Sequence, residues 1–105
     1  MMHRLISAAR PRPADVLKAH RDEVLALARS NKAERVRVFG SVATGRDTAT
    51  SDIDLLVLFR DGASLLDQAN LTMELTELLG VRVDVISEGG LSARHDDIVR
   101  QAIAL

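Results

Sequence analysis

Residues 51–59 read Ser-Asp-Ile-Asp-Leu-Leu-Val-Leu-Phe, two carboxylates followed at once by a nearly continuous apolar run. Such a run is typical of a β-strand buried on both faces. Side chains at i and i+2 of a strand share a face, with Cα atoms roughly 6.5 Å apart. Asp52 and Asp54 therefore converge at the mouth of this strand, where their charges repel. A divalent cation between them would remove that repulsion, and oxygen-only ligands suit Mg²⁺ or Mn²⁺ rather than Zn²⁺. The chain must fold so that this acidic entrance stays open while the rest of the strand is covered.

Just upstream runs Phe39-Gly40-Ser41-Val42-Ala43-Thr44-Gly45, the end of one strand and a tight Gly-Ser turn. Gly40 allows close backbone approach to a ligand, and Ser41 offers a hydroxyl and an N–H. If Val42 begins a helical turn, its free N–H groups make an anion site. A phosphate gripped there and bridged by metal to Asp52 and Asp54 is the geometry of nucleotidyl transfer.

Around these two pieces the pattern predicts helix, strand, turn-helix, strand, helix, strand, helix. Residues 1–13 form a basic, proline-punctuated lead-in with Arg4, Arg10 and Arg12, expected to be disordered. A helix is predicted over 14–30, with Leu17, Val24, Leu27 and Ala28 on one face and His20 packed beside them. Arg35 to Phe39 alternates as a half-buried strand, Val36 and Val38 on one side and Arg35, Arg37 and Phe39 on the other. Those arginines are read as solvated strand residues before triphosphate ligands. In the polar loop 46–50, Asp47 is too far from the strand pair to assign as a ligand. Ser51 is equally well a turn former or a hydrogen-bond partner of a nucleotide.

Ser64 and Asp67 suggest a capped helix with a stripe of Leu65, Leu66, Ala69, Met73, Thr76 and Leu79, ended by Gly80. Met73 is read as core filler, Glu74 and Glu77 as exposed charge. Val81 to Ile86 alternates as a third strand with Asp84 in its middle. An unpaired buried carboxylate costs several kcal/mol, so Asp84 needs a partner: Arg82, Arg37 or a cation shared with Asp52 and Asp54. Gly89-Gly90 is a turn, and a closing helix is expected over 91–105 with Ile98, Ala102 and Leu105 on one face. The cluster Arg94, His95, Asp96, Asp97 reads as a solvated helix start, because adjacent helical residues point in different directions.

At 105 residues, 47% hydrophobic and 28% charged, the chain is expected to be one small α/β domain: a short mixed β-sheet backed by helices, over 14–105. A net charge of −1 and the absence of Trp and Tyr argue against direct nucleic-acid binding. Without cysteine there is neither a disulfide nor a thiolate metal site. No apolar run reaches membrane-span length, so no membrane association and a cytoplasmic location are expected.

Gly40-Ser41, Gly45 and Ser51-Asp52-Ile53-Asp54-Leu55 at this spacing resemble the polymerase-beta-type nucleotidyltransferase superfamily. More narrowly the chain resembles the minimal nucleotidyltransferases (MNT) of bacteria and archaea, antitoxins that pair with HEPN-domain toxins. The resemblance runs from about Leu17 to Leu105. One departure is Thr44, where the family often has Arg; Arg46 follows closely. The resemblance implies a nucleotidyltransferase fold and a catalytic, metal-holding triad of Asp52, Asp54 and Asp84 with two Mg²⁺. It implies a nucleotide site of Gly40, Ser41, Gly45, Arg46 and Ser51, with ATP as the usual substrate. It further implies transfer of AMP to a tyrosine of a HEPN ribonuclease toxin, in a hetero-oligomer with that toxin. Two alternatives stand beside it: an antitoxin that only binds its HEPN partner, and a nucleotidyltransferase acting on a small aminoglycoside-like molecule.

Overall fold

A computed structural model describes residues 11–90 and 96–105 of the chain. Its elements in order are α1 (Pro13–Ala19), α2 (Arg21–Ser30), β1 (Ala33–Phe39), α3 (Gly40–Ala43), β2 (Ile53–Phe59), α4 (Leu65–Leu79), β3 (Val83–Ser87), a 3₁₀ turn (Glu88–Gly90), α5 (Asp96–Gln101) and β4 (Ile103–Ala104). The four strands make one mixed sheet in the order β3-β2-β1-β4. β1 pairs antiparallel with both β2 and β4, while β2 and β3 run parallel. A short mixed sheet backed by helices is the fold class that the sequence predicts.

Alternation along the strands divides the sheet into a helix-covered face and an opposite face that carries the acids, where Leu56 and Phe39 are nonetheless buried. Val36, Val38, Ile53, Leu55, Val57, Val83 and Val85 point to the covered face and are buried. They pack with Leu17, Val24 and Ala28 of the first two helices and with Leu71, Leu75 and Leu79 of α4. The parallel β2–β3 pair is joined through α4, the helical crossover that such a pair requires.

The helix predicted over 14–30 is two helices. The backbone leaves helical geometry at His20, whose φ is −113° and ψ 20°, and whose N–H still closes α1 on Val16 and Leu17 carbonyls. Leu17, Val24 and Ala28 nevertheless keep the predicted core face. His20 is not packed among them: its Nδ1 meets Glu23 Oε1 at 2.8 Å on the solvent side, which fixes the start of α2.

The capping box on α4 is present, with Asp67 N–H donating to Ser64 Oγ and Ser64 N–H donating to Asp67. Gly80 ends the helix in the left-handed region, φ +66°. The stripe that faces the core, however, is Leu71, Leu75 and Leu79 rather than Leu65, Leu66 and Met73, which are exposed. At about 100° per residue the true face lies roughly a third of a turn from the expected one. Two polar anchors select it. Gln68 Nε2 donates to Val85 O at 2.9 Å, satisfying the outer edge of β3, and Asn31 Nδ2 donates to Glu74 Oε1 at 2.6 Å. Glu74 is thus half-buried in a structural bond, not free surface charge.

The closing helix also differs from expectation. It stops at Gln101, and Ile103 and Ala104 pair with Val38 and Arg37 of β1. Leu105 N–H then donates to Val36 O at 3.1 Å. An open strand edge offers a row of unpaired backbone groups, and extended pairing along β1 satisfies them as more helix could not. The expectations for Leu91 to His95, and for residues 1–10, lie outside the described residues. No helix among the described residues is long and apolar enough to cross a membrane. Leu75→Ala is expected to destabilise the fold by about 2–5 kcal/mol, and Met73→Ala by under about 0.5 kcal/mol, in urea unfolding.

Candidate active site

The sheet face opposite the helical core gathers the acids. In register, Phe39 of β1 faces Asp54 of β2, and Asp54 faces Asp84 of β3. Asp52 stands two residues before Asp54, immediately ahead of the strand. One row further along, Arg37, Leu56 and Ile86 share the same face. The pairing of Asp54 with Asp84 follows from two alternating strands whose apolar residues seek the same core; once Leu55 and Val85 turn inward, both carboxylates must turn out.

The Gly-Ser turn closes directly over this row. Gly40 takes φ +73°, a left-handed conformation that glycine adopts without penalty. A Cβ there would stand 2.5 Å from Asp54 Oδ2. What Gly40 approaches so closely is thus the carboxylate itself, and the turn and the acid form one unit. Gly40–Ala43 then makes a single helical turn whose N-cap, Phe39, contributes no side-chain cap, so a ligand oxygen can meet its leading N–H groups. Thr44 donates its hydroxyl back to Gly40 O and Ser41 O, both at 3.3 Å. It serves to finish the turn.

Gly45, Arg46 and Ser51 lie on the loop from α3 to β2. Arg46 is exposed, and its N–H holds Ser41 O at 2.9 Å. Ser51 is a turn former: its Oγ accepts from Thr48 N–H at 2.9 Å and its own N–H donates to Thr48 O. Arg35 and Arg37 are both bound by Glu88, at 2.9 Å and 2.6 Å, and so are committed within the protein. Two residues gain roles that the sequence left open. Arg82 reaches between the acids, 3.9 Å from Asp52 Oδ2 and 4.0 Å from Asp84 Oδ1. Asp47 is buried and paired with Arg12, 35 residues away, which no local pattern announces.

Charge at the site is only partly balanced. Burial, then the charges of Asp84 and Asp52, push the Asp54 carboxyl above its ordinary range. Arg82 is three-quarters exposed, so its offset is screened by water. Among the described residues no three acids or histidines are closed into a cage that would hold a metal by themselves. The donor set is nonetheless all carboxylate oxygen with surplus negative charge. It fits a hard divalent cation that keeps water and substrate oxygens among its ligands.

A glycine turn packed on an acid, beside two further acids on one sheet face, is a nucleotidyltransferase arrangement. Residues 23–104 match the polymerase beta nucleotidyltransferase family, and the chain belongs to it. Protein adenylyltransferase MntA of Thermococcus cleftensis is 36% identical over 78 residues, 74% of this chain and 76% of that protein. A Methanocaldococcus jannaschii protein with the provisional name protein adenylyltransferase is 42% identical over 71 residues, 67% of this chain and 76% of its own. Among solved structures, a provisionally named minimal nucleotidyltransferase superposes with a TM-score of 0.79 at 50% identity, covering 88% of this chain and 95% of that one. A toxin–antitoxin complex with AMP-PNP superposes at 0.69 with 27% identity, covering 79% and 69%. The same fold recurs, at 23% identity and a TM-score of 0.64, in a Shewanella oneidensis complex of a tri-AMPylated HEPN toxin with its MNT antitoxin.

Gly40→Ala is expected to displace Asp54 and lower any nucleotide-dependent activity at least about tenfold, since it adds a left-handed strain and a clash together. Asp54→Asn is expected to do the opposite to stability. A folded-state pKa raised above the unfolded value of about 3.9 means that ionisation opposes folding, absent at acid pH and in full above the folded pKa. The neutral amide removes that opposition, so at pH 7 its melting temperature in calorimetry should exceed that of the parent, with the difference vanishing toward pH 3.

Proposed function

We propose that this nucleotidyltransferase moves AMP from ATP onto a tyrosine hydroxyl of a HEPN ribonuclease toxin and so acts as its antitoxin. The observation that carries the reading is the packing of Gly40 on Asp54, which brings a phosphate-binding turn against the acids. Asp52, Asp54 and Asp84 would hold Mg²⁺, which when bound offsets the negative charge that develops on the transferring phosphoryl group. Gly40 and Ser41 hold the β- and γ-phosphates through backbone N–H groups and the Ser41 hydroxyl, with Gly45, Arg46 and Ser51 shaping the far side. Asp84, the acid on β3 and nearest the sheet edge, accepts the proton of the incoming hydroxyl. The acceptor oxygen then bonds to the α-phosphorus, the bond from that phosphorus to the bridging oxygen breaks, and pyrophosphate leaves.

Support for a protein acceptor comes from the relatives. Two named as protein adenylyltransferases align over two thirds or more of this chain. Solved toxin–antitoxin complexes share its fold, one with AMP-PNP and one with an AMPylated HEPN toxin. A transfer that draws on ATP is in keeping with a cytoplasmic location.

The test uses purified chain, Mg²⁺, α-labelled ATP and the HEPN protein of the same host. Label on the toxin, loss of its ribonuclease activity, and a drop of about a hundredfold or more in Asp54→Asn are expected. A toxin that stays unlabelled yet is silenced equally by the Asp54→Asn chain would replace transfer by simple binding.

A further inference from the structure

The loop 45–51 carries much of the proposed nucleotide site, yet little beyond its own residues holds it. Its internal bonds join Thr48, Thr50 and Ser51 to one another. Its side-chain anchor to the rest of the chain is Asp47, whose side chain is 0% exposed although residues 44–46 and 48–50 are all exposed. One Asp47 oxygen meets Arg12 Nη2 at 2.5 Å, and the other accepts from Ala14 N–H at 2.9 Å, at the first turn of α1. The same Arg12 nitrogen also donates to Gly45 O at 3.3 Å. Burial raises the Asp47 pKa, but the Arg12 hydrogen bond, the Ala14 N–H and the Arg12 charge together outweigh it and keep the carboxyl below its usual range. A buried carboxylate so fully partnered is an anchor rather than a reagent.

We propose that Arg12 and Asp47 are positioning residues for nucleotide binding: their ion pair ties the loop from Gly45 to Ser51 to the segment ahead of α1. Arg12 grips the loop at two points, the carbonyl of Gly45 and the carboxylate of Asp47, which flank Arg46. Arg46 N–H in turn holds Ser41 O, so the tie reaches the Gly-Ser turn through one residue. Neither side chain touches the three acids. Release of the loop therefore weakens the grip on ATP and leaves the chemical step alone. This rests on the nucleotidyltransferase reading above, because it takes ATP as the ligand.

The experiment measures ATP binding by calorimetry and toxin labelling by steady-state kinetics, on the full chain. Arg12→Gln and Asp47→Asn are each expected to weaken ATP binding and raise KM roughly tenfold, the scale of one lost charge-assisted hydrogen bond, with kcat within about twofold. Arg12→Lys should recover part of the loss, and the double variant should be no weaker than the worse single one. Arg12→Gln leaves the buried Asp47 carboxylate without its cation whereas Arg12→Lys keeps one, so thermal melting of each variant separates loss of fold from loss of ATP binding. Variants of Arg12 that bind ATP as the parent does, or that lower kcat in place of affinity, would overturn the assignment while leaving the transferase reading intact. A parent chain that binds no nucleotide would overturn both.

Discussion

The contact between Gly40 and the Asp54 carboxylate is what the site depends on. Strand β1 must turn off the sheet within one residue of Phe39, and it turns directly over the acid that Phe39 faces. Only a residue that accepts φ +73° and brings no Cβ can do so, since any other side chain would fall 2.5 Å from Asp54 Oδ2. The glycine therefore does two things with one missing atom. It frees the backbone to reverse, and it lets the Gly-Ser turn and a carboxylate share a wall. A register slip of one residue between β1 and β2 would separate them and send Asp54 to the covered face.

Two carboxylates of this chain, Asp47 and Asp54, have opposite fates, and the contrast separates support from chemistry. Asp47 is wholly buried but receives a guanidinium and a backbone N–H, so burial leaves it ionised and satisfied. Asp54 is half-buried beside two like charges, with no hydrogen-bond donor among the causes that move its pKa. A fold built for stability alone would not keep that second arrangement. Its opposition to folding is offset on the far side of the same strand, where Ile53, Leu55 and Val57 are completely buried. Asp54 can be held in an unfavourable place because its neighbours in sequence are held in a very favourable one.

Much of this was legible in the residues. The DxD entrance to an apolar strand, the Gly-Ser turn, the capping box at Ser64 and the outward phase of Asp84 all follow from short-range pattern, and all are present. The face of α4 was not, because that helix carries apolar residues on more than one side. Leu65, Leu66 and Met73 form as good a stripe as Leu71, Leu75 and Leu79 until Gln68 and Glu74 find partners on β3 and α2. Strand β4 escaped because two residues carry no period, and only the free edge of β1 makes them extended. Asp47 looked like an ordinary loop acid, since its partner lies in the lead-in at Arg12. In each case the deciding interaction is long-range, and a single sequence holds no local trace of it.

The mixed character of the sheet has a chemical reason as well as a structural one. The Gly40-Ser41 turn comes at the end of β1, and the acids come at the start of β2 and within the first half of β3. Bringing an end to a start requires β1 and β2 to be antiparallel, which the loop over 44–52 allows. Bringing the acid of β3 level with that of β2 requires the two strands to run parallel, and that needs a crossover as long as α4. Were all three strands parallel, Gly40 would lie at the far end of the sheet from Asp54. Were all antiparallel, Asp84 would keep company with Leu56 or Leu58 unless β3 were lengthened. One antiparallel and one parallel pairing is the arrangement that sets turn, acid and acid side by side in the fewest residues.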